Sequence, residues 1–303
     1  FTNLVRDRES EVQFSSFYVQ DQFDLTEQFK LVAGLRLDEF DINVLDRIEQ
    51  SDGDANDGNF SRKDSEVTPR LGFIYKPADN VSVYASYSET FLPQSGDQFL
   101  TLSLDTQSTR PQFFENREIG LKWDLRPELA LTTAVFELER ESYTTVDPED
   151  QDQLIVVDGS TTRGFELQLV GTLTESLSIS TGYSYLDGEV ERADGAGNSG
   201  NRTRQTPENM FSLWSNYALN ERLSFGFGAT YQDSFFVRED NDVEVPSFFR
   251  VDAAAFYRVS DNLRLQLNVE NLFDEDYFPD AHSNTNITTG RPLNARLTAL
   301  VSF

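Results

Sequence analysis

The chain offers little from which to build a reaction centre. His282 is its single histidine and it has no cysteine in 303 residues, which removes disulfides, thiolate nucleophiles, thiolate metal sites and any histidine cluster. Serine, aspartate and glutamate are plentiful, but a nucleophilic triad needs a positioned base, and without a second histidine no convincing triad assembles. Asp52-Gly-Asp-Ala-Asn-Asp-Gly58 has the composition of a calcium loop. Its spacing fails, because Asp57 stands sixth where glycine is required and Lys63 stands twelfth where an acid is required. That stretch reads as an acidic, solvated loop. No metal, cofactor or catalytic set is expected, so the chain reads as something other than an enzyme.

The charge balance excludes a further class. Asp and Glu number 52 against 25 Lys and Arg, a formal charge of −27, and nucleic-acid phosphates need the opposite sign. With 25 Phe and 11 Tyr the chain is too aromatic to be an acidic disordered segment. No apolar run approaches the roughly 18 residues of a membrane helix; Leu154-Ile-Val-Val157 is typical of the longest. The chain begins at Phe1 without a signal peptide, which reads as processing or truncation.

Alternation with a period of two fills almost the whole length. Leu31, Ala33, Leu35 and Leu37 alternate with Val32, Gly34, Arg36 and Asp38; Leu263, Leu265, Leu267 and Val269 oppose Arg264, Gln266, Asn268 and Glu270. The last segment, Leu293 to Phe303, repeats the pattern and ends on an aromatic. Each is a strand with one apolar and one polar face. About thirteen are expected, near 12–25, 29–44, 65–76, 81–90, 113–126, 129–142, 154–171, 177–187, 205–219, 223–236, 245–259, 263–273 and 291–303.

The connectors alternate too. Thr26-Glu-Gln28, Pro77-Ala-Asp-Asn80, Pro127-Glu128, Thr172 to Ser176, Asn220-Glu-Arg222 and Ser260-Asp-Asn262 are short. Between them lie long polar loops over 45–64, 91–112, 143–153, 188–204, 237–244 and 274–290. Short turns on one rim and long loops on the other mark an all-β fold, a transmembrane antiparallel up-and-down β-barrel in a bacterial outer membrane. The lumen then receives Arg36, Asp38, Arg70, Lys76, Lys122, Asp124, Glu166, Arg250, Asp252, Arg264, Glu270 and Arg296, chiefly as structural charges. Phe29, Tyr75, Trp123, Tyr217 and Tyr257 read as the periplasmic aromatic girdle. Counting strands back from the last loop starts the first strand outside the cell with an odd total. A complete barrel has an even count and begins inside, so the chain is expected to be the C-terminal portion of a larger one.

Several ordered stretches resemble one family. They include Tyr18-Val-Gln-Asp-Gln22, Leu31-Val-Ala-Gly-Leu-Arg-Leu-Asp38, Val67-Thr-Pro-Arg-Leu-Gly-Phe-Ile-Tyr-Lys-Pro77 and Val83-Tyr-Ala-Ser-Tyr-Ser-Glu-Thr-Phe-Leu-Pro93. Glu118-Ile-Gly-Leu-Lys122, Arg163-Gly-Phe-Glu-Leu167, Gly182-Tyr-Ser-Tyr185, Val245-Pro246, Asn268-Val-Glu-Asn-Leu-Phe-Asp274 with Tyr277, and Gly290-Arg-Pro292 follow in order. The set resembles TonB-dependent outer-membrane receptors of the ferric-siderophore branch. Two positions depart from that pattern: Leu293 stands after Pro292 where the family has arginine, and Val301 stands where an aromatic is common.

The resemblance implies that residues 1–303 are the C-terminal part of a 22-stranded barrel whose plug domain and first nine or so strands lie outside the chain. It implies import of an iron–siderophore ligand without covalent chemistry, driven by the TonB complex through that missing N-terminal part. It further implies that outer-membrane lipid and lipopolysaccharide surround the wall and that the barrel-assembly machinery reads the C-terminal strand. Ferric siderophores are bulky, and aromatic faces give them contact area at little entropic cost. The outer-rim and loop aromatics Tyr87, Phe91, Phe99, Phe113, Tyr143, Phe235, Phe236, Tyr277 and Phe278 are therefore the candidate ligand-binding residues. Other readings are a receptor for cobalamin, haem or a glycan, and an autonomous outer-membrane pore or enzyme barrel.

Overall fold

The computed structural model describes residues 7–47, 58–93, 102, 110–141, 143–146, 154–157, 159–191 and 198–302. Its strands in chain order begin with β1 (Arg8–Asp24), β2 (Phe29–Asp46), β3 (Asn59–Ala78), β4 (Val81–Leu92), β5 (Gln112–Arg126) and β6 (Leu129–Arg140). There follow β7 (Tyr143–Val146), β8 (Leu154–Val157), β9 (Ser160–Thr174), β10 (Leu177–Val190), β11 (Asn209–Ala218) and β12 (Leu223–Gln232). The last are β13 (Phe235–Phe236), β14 (Glu244–Val245), β15 (Phe248–Arg258), β16 (Leu263–Glu270), β17 (Asp280–Ser283), β18 (Asn286–Thr288) and β19 (Asn294–Val301). Thirteen of them form one antiparallel sheet in chain order. The other six make three small hairpins, β7–β8, β13–β14 and β17–β18, all in the long connections.

One parity runs through the whole sheet. Leu37 pairs with Phe17 and Val67, Ala85 with Phe73 and Ile119, and Leu167 with Thr133 and Tyr183. Phe227 pairs with Ser215 and Ala253, and Leu267 with Ala255 and Leu297. Through the paired body of the sheet odd-numbered positions share one face in all thirteen strands, and even-numbered positions the other. Register irregularities fall at the short-turn ends, at Tyr75/Ala78, Asp124/Arg126 and Leu177/Ser178, and only the pairs beyond them, Ala78–Val81, Arg126–Leu129 and Leu177–Thr174, depart from this parity. The odd face holds Phe17, Leu35, Ile119, Val135, Phe225 and Leu297 exposed, a surface suited to lipid. The even face carries the lumen charges expected from the sequence, Arg36, Asp38, Arg70, Lys122, Glu166, Arg250 and Asp252 among them.

The register also sets the slope of the strands. Glu137 stands about nine residues above its short turn, yet it pairs with Arg163, about twelve above the next. A slip of about three residues per two strand spacings, at ~3.3 Å rise and ~4.8 Å separation, tilts the strands by roughly 40–45°. The short turns are stitched from hairpin to hairpin. Asn80 Nδ2 donates to the Asp124 carbonyl (3.0 Å), Arg126 Nη2 to that of Leu173 (3.1 Å), and Asn262 Nδ2 to that of Ser302 (2.9 Å).

Three expected strands need correction. The segment 154–171 divides, because Leu154–Val157 pairs with Tyr143–Val146 in a hairpin of its own inside the expected loop 143–153. The segment 223–236 ends in the main sheet at Gln232. There Asp233 turns to accept the Tyr231 hydroxyl (2.5 Å) and Asn209 Nδ2 (2.7 Å), and Phe235–Phe236 pairs instead with Glu244–Val245. The segment 65–76 begins earlier, since β3 follows β2 as far as Asn59. Phe303 lies outside the described residues.

Candidate ligand-binding surface

At the loop rim of β11–β16, three connections are knitted into one cap. Asn241, at φ 58°, accepts from the Arg202 backbone N–H (2.9 Å) and donates to the carbonyls of Arg202 (3.0 Å) and Arg238 (3.1 Å). Gln205 donates its N–H to the Phe236 carbonyl (2.7 Å) and its Nε2 to the Ala281 carbonyl (2.6 Å). Beneath them Phe235, Val237, Val245 and Ala281 form a buried cluster that Val243 and Phe278 flank. Asp233 sits at the edge of this cap. The Tyr231 hydroxyl first, then the Asn209 amide, hold its carboxyl below the ordinary value.

Asn271 organises the base of the same rim. At φ 54° and 1% exposed, it donates Nδ2 to the carbonyls of Glu275 (2.8 Å) and Arg291 (3.0 Å) and accepts from the Glu275 N–H (2.8 Å). Its own N–H reaches Asp252 Oδ1 (2.9 Å), whose other oxygen accepts from Arg250 Nη2 (3.0 Å). Arg250 Nη1 in turn donates to the Tyr277 hydroxyl (2.9 Å), and the Tyr277 ring lies 4.7 Å from that of Phe248. A Cβ at Gly290 would fall 2.3 Å from Tyr277 Cε1, so only glycine admits this ring.

Four candidate aromatics are thus gathered here, with unequal access. Phe235 is 2% exposed and Tyr277 7%, so both support the rim and have no free face. Phe236 and Phe278 are half-buried, and the Arg202 guanidinium carbon stands 5.7 Å from the Phe236 ring, within cation–π range.

A second aromatic group lies at the rim of β1–β5. Pairing between β3 and β4 stops at Arg70–Ser88; the next position toward the rim on β3 is Pro69, which has no N–H to donate. Above that point Phe91 meets Phe40 edge-on at 5.6 Å, Phe40 meets Phe14 at 4.6 Å, and Phe91 meets Phe113 at 6.0 Å. Ile42, Val44, Phe60 and Leu102 form a buried cluster beside them. Phe14, Phe40 and Phe248 escaped the sequence reading because they stand within strands. Their even numbers were the available signal, since they place the rings on the otherwise polar face.

The remaining candidates fall elsewhere. Tyr87 pairs with Leu71 and Arg117 on the odd, outward face, where its hydroxyl binds Glu89. Tyr143 belongs to β7; its side chain, Phe99 and residues 52–57 of the calcium-like segment lie outside the described residues. His282 is exposed on β17. Among the described residues no group of three or more His, Asp or Glu side chains is placed to hold a metal.

The lumen wall below the rim is built from small and polar side chains. A hollow of about 500 Å³ across β4–β12 is lined by Tyr84, Glu118, Glu166, Gln168, Ser184 and Met210. The Tyr84 hydroxyl donates to Glu118. Glu118 and Glu166 make no ion pair among the described residues, and the Lys122 ammonium stands 5.6 Å from the centre of the Tyr84 ring. Aromatic rings elsewhere lie flat on cross-strand glycines, Phe136 on Gly164 and Trp214 on Gly228, which keeps the wall thin.

Residues 2–272 match the family described as "TonB dependent receptor-like, beta-barrel". The chain belongs to the TonB-dependent receptor family. As a member of that family it forms part of an outer-membrane barrel wall. The probable TonB-dependent siderophore receptor PiuA of Acinetobacter baumannii is 33% identical over 298 residues, covering 92% of this chain and 39% of PiuA. The catecholate siderophore receptor Fiu of Escherichia coli K12 is 29% identical over 316 residues, covering 95% of this chain and 41% of Fiu. The crystal structure of A. baumannii PiuA superposes with a TM-score of 0.86 at 31% identity, over 97% of this chain and 43% of that one. For the closed form of Fiu the TM-score is 0.84 at 25% identity, over 98% and 45%. The chain thus spans about two fifths of the relatives' length.

Proposed function

We propose that the chain is the C-terminal wall of a receptor that imports ferric siderophores across the outer membrane on energy relayed by the TonB complex, with no covalent change to the cargo. The similarity to siderophore receptors along nearly the entire sheet carries this reading. The rim supports it: Phe236 with Arg202, Phe278, and Phe91 with Phe113 are aromatic faces at the loop end, and a bulky chelate gains contact area from such faces. In that role Arg250, Asp252, Asn271 and Tyr277 position the rim and do not touch the cargo. Tyr87 faces the lipid side and has no part in binding.

The test is radio-iron uptake in a receptor-deficient strain carrying the full-length gene, supplied in turn with ferric catecholate and ferric hydroxamate chelates. Uptake of at least one supports the reading, and no uptake of any ferric chelate overturns it. A metal-pseudopaline arm belongs in the same experiment. The metal-pseudopaline receptor CntO of Pseudomonas aeruginosa is 27% identical over 301 residues, and uptake of that complex alone would make the cargo a different metallophore.

A further inference from the structure

The direction of the alternation reverses part-way up β2. As far as Leu37 the odd positions are apolar and the even ones include Arg36 and Asp38; above it Glu39, Asp41 and Asn43 are odd, and Phe40, Ile42 and Val44 are even. Its neighbour β1 reverses at the same level, with Val12 and Phe14 standing among Glu11, Gln13 and Ser15. The outward face of this upper stem has thus left the lipid, and its inward face has become apolar. An apolar face with no bilayer against it must be covered by protein or meet water.

Leu102 covers it. In the connection from β4 to β5 it is the one described residue between Pro93 and Arg110. It is 0% exposed and clusters with Ile42, Val44 and Phe60, and Val12 and Phe40 pack against that cluster. Next to Phe60 the buried Arg62 donates to both oxygens of Asp64 at 2.6 Å, so the charges beside the seat neutralise each other.

The top of β4 has need of such an anchor. Backbone pairing between β3 and β4 ends at Arg70–Ser88, whereas β4 stays paired to β5 as far as Leu92–Gln112. Phe91 and Phe113, cross-strand partners of each other, therefore stand at a free corner of the wall. Ring contact ties that corner to the stem: Phe91 meets Phe40 edge-on, and Phe40 lies on the cluster that Leu102 closes. Apolar contact is non-directional, so one ring pair alone lets the corner slide, and a second apolar attachment fixes it.

We propose that Leu102 is a positioning residue for cargo binding: seated on the upper stem, it anchors the β4–β5 connection and, through the cluster and Phe40, holds Phe91 and Phe113 where they meet a ferric chelate. The proposal rests on the receptor reading above for the cargo, and on packing alone for the anchor.

The experiment uses the full-length receptor, with ferric catecholate and ferric hydroxamate chelates as probes. Leu102→Ala is expected to weaken binding of the chelate that the wild type takes up by about fivefold, against about tenfold for Phe91→Ala, and to leave the uptake rate at saturating chelate unchanged. Leu102→Met nearly conserves the volume and should bind like wild type. In a Phe91→Ala background Leu102→Ala should weaken binding by less than about twofold, because it acts through that ring. In the chelate-free receptor, hydrogen exchange at the amides of Phe91–Leu92 and Gln112–Phe114 should be about tenfold faster in Leu102→Ala than in wild type. Heat-modifiable gel mobility confirms that each variant is folded; should Leu102→Ala fail to fold, Leu102→Val carries the test. Wild-type affinity in folded Leu102→Ala, effects that multiply in the double variant, or unchanged exchange would overturn the proposal. A wild type that binds no ferric chelate would sink the receptor reading and the cargo half of the proposal, while exchange still decides the anchor.

Discussion

An alanine at Gly164 creates a collision that the wall cannot absorb without moving an aromatic ring. Phe136 of β6 lies flat against Gly164, its cross-strand partner on β9, and a Cβ there would fall 2.2 Å from Cζ and 2.5 Å from Cε1. Carbon atoms are comfortable at about 3.5–4.0 Å, so the ring must lift by roughly 1.4 Å into the lumen. Two effects oppose. Alanine is favoured over glycine inside a strand by about 0.5–1 kcal/mol, whereas overpacking costs about 1–3 kcal/mol. The collision wins by about 1 kcal/mol, a factor of five or so in the folding equilibrium. The assay is guanidinium unfolding of the full-length receptor in lipid vesicles, followed by tryptophan fluorescence. Phe136→Leu alone should also destabilise, but in that background Gly164→Ala should lose its penalty, giving a coupling of about 1 kcal/mol or more. A Gly164→Ala protein as stable as wild type, or a double variant whose effects simply add, would refute the packing of ring on glycine.

Three further outcomes can be checked directly. Phe236→Ala should weaken binding of the ferric chelate that supports uptake by about tenfold, as for an aromatic contact residue, while Tyr87→Ala on the outward face should leave it unchanged; fluorescence quenching on the purified receptor measures both. Leu297→Arg, at a position 71% exposed on the lipid face of β19, should cost about 2–4 kcal/mol near the bilayer midplane, read as loss of the heat-modifiable folded band. Asp233 supplies a pH dependence: because its folded value is depressed by Tyr231 and Asn209, its contribution is complete above the unfolded value of about 3.9 and is lost as pH falls through the lower folded one. Proteolytic nicking of the cap over 198–245 should therefore be flat from pH 8 to pH 5 and rise only once the pH falls below the ordinary carboxylate value.

Much of the fold was legible because the lipid face imposes a rule on every second residue. Ile119, Leu121 and Trp123 declare β5 without help from any neighbour, and the tight turn at Pro127-Glu128 ends it. The expected strand 154–171 failed for the opposite reason. Leu154–Val157 is apolar on both faces, so alternation does not decide which partner it takes, and it pairs with Tyr143–Val146. Of the candidate site, the aromatic types were readable but their direction was not. Tyr87 and Phe91 are four residues apart on one strand; Tyr87 stays with the paired wall and faces outward, whereas Phe91 lies beyond the last β3–β4 pair and packs onto Phe40. Glu118 was visible only as the polar member of an alternating pair, and its bond with the Tyr84 hydroxyl appeared once its neighbours across the strands were known.

By itself the sequence determined which face of each strand meets lipid, since a period of two admits a single apolar side. It also determined the hairpin order, because short turns leave a strand no partner but the next. The tertiary structure decided which charges are paired, because Arg36 and Arg70 are equivalent in the alternation and differ only in having Asp38 within reach. It likewise decided which aromatics keep a free face, because burial at the rim depends on how three separate loops fold onto one another.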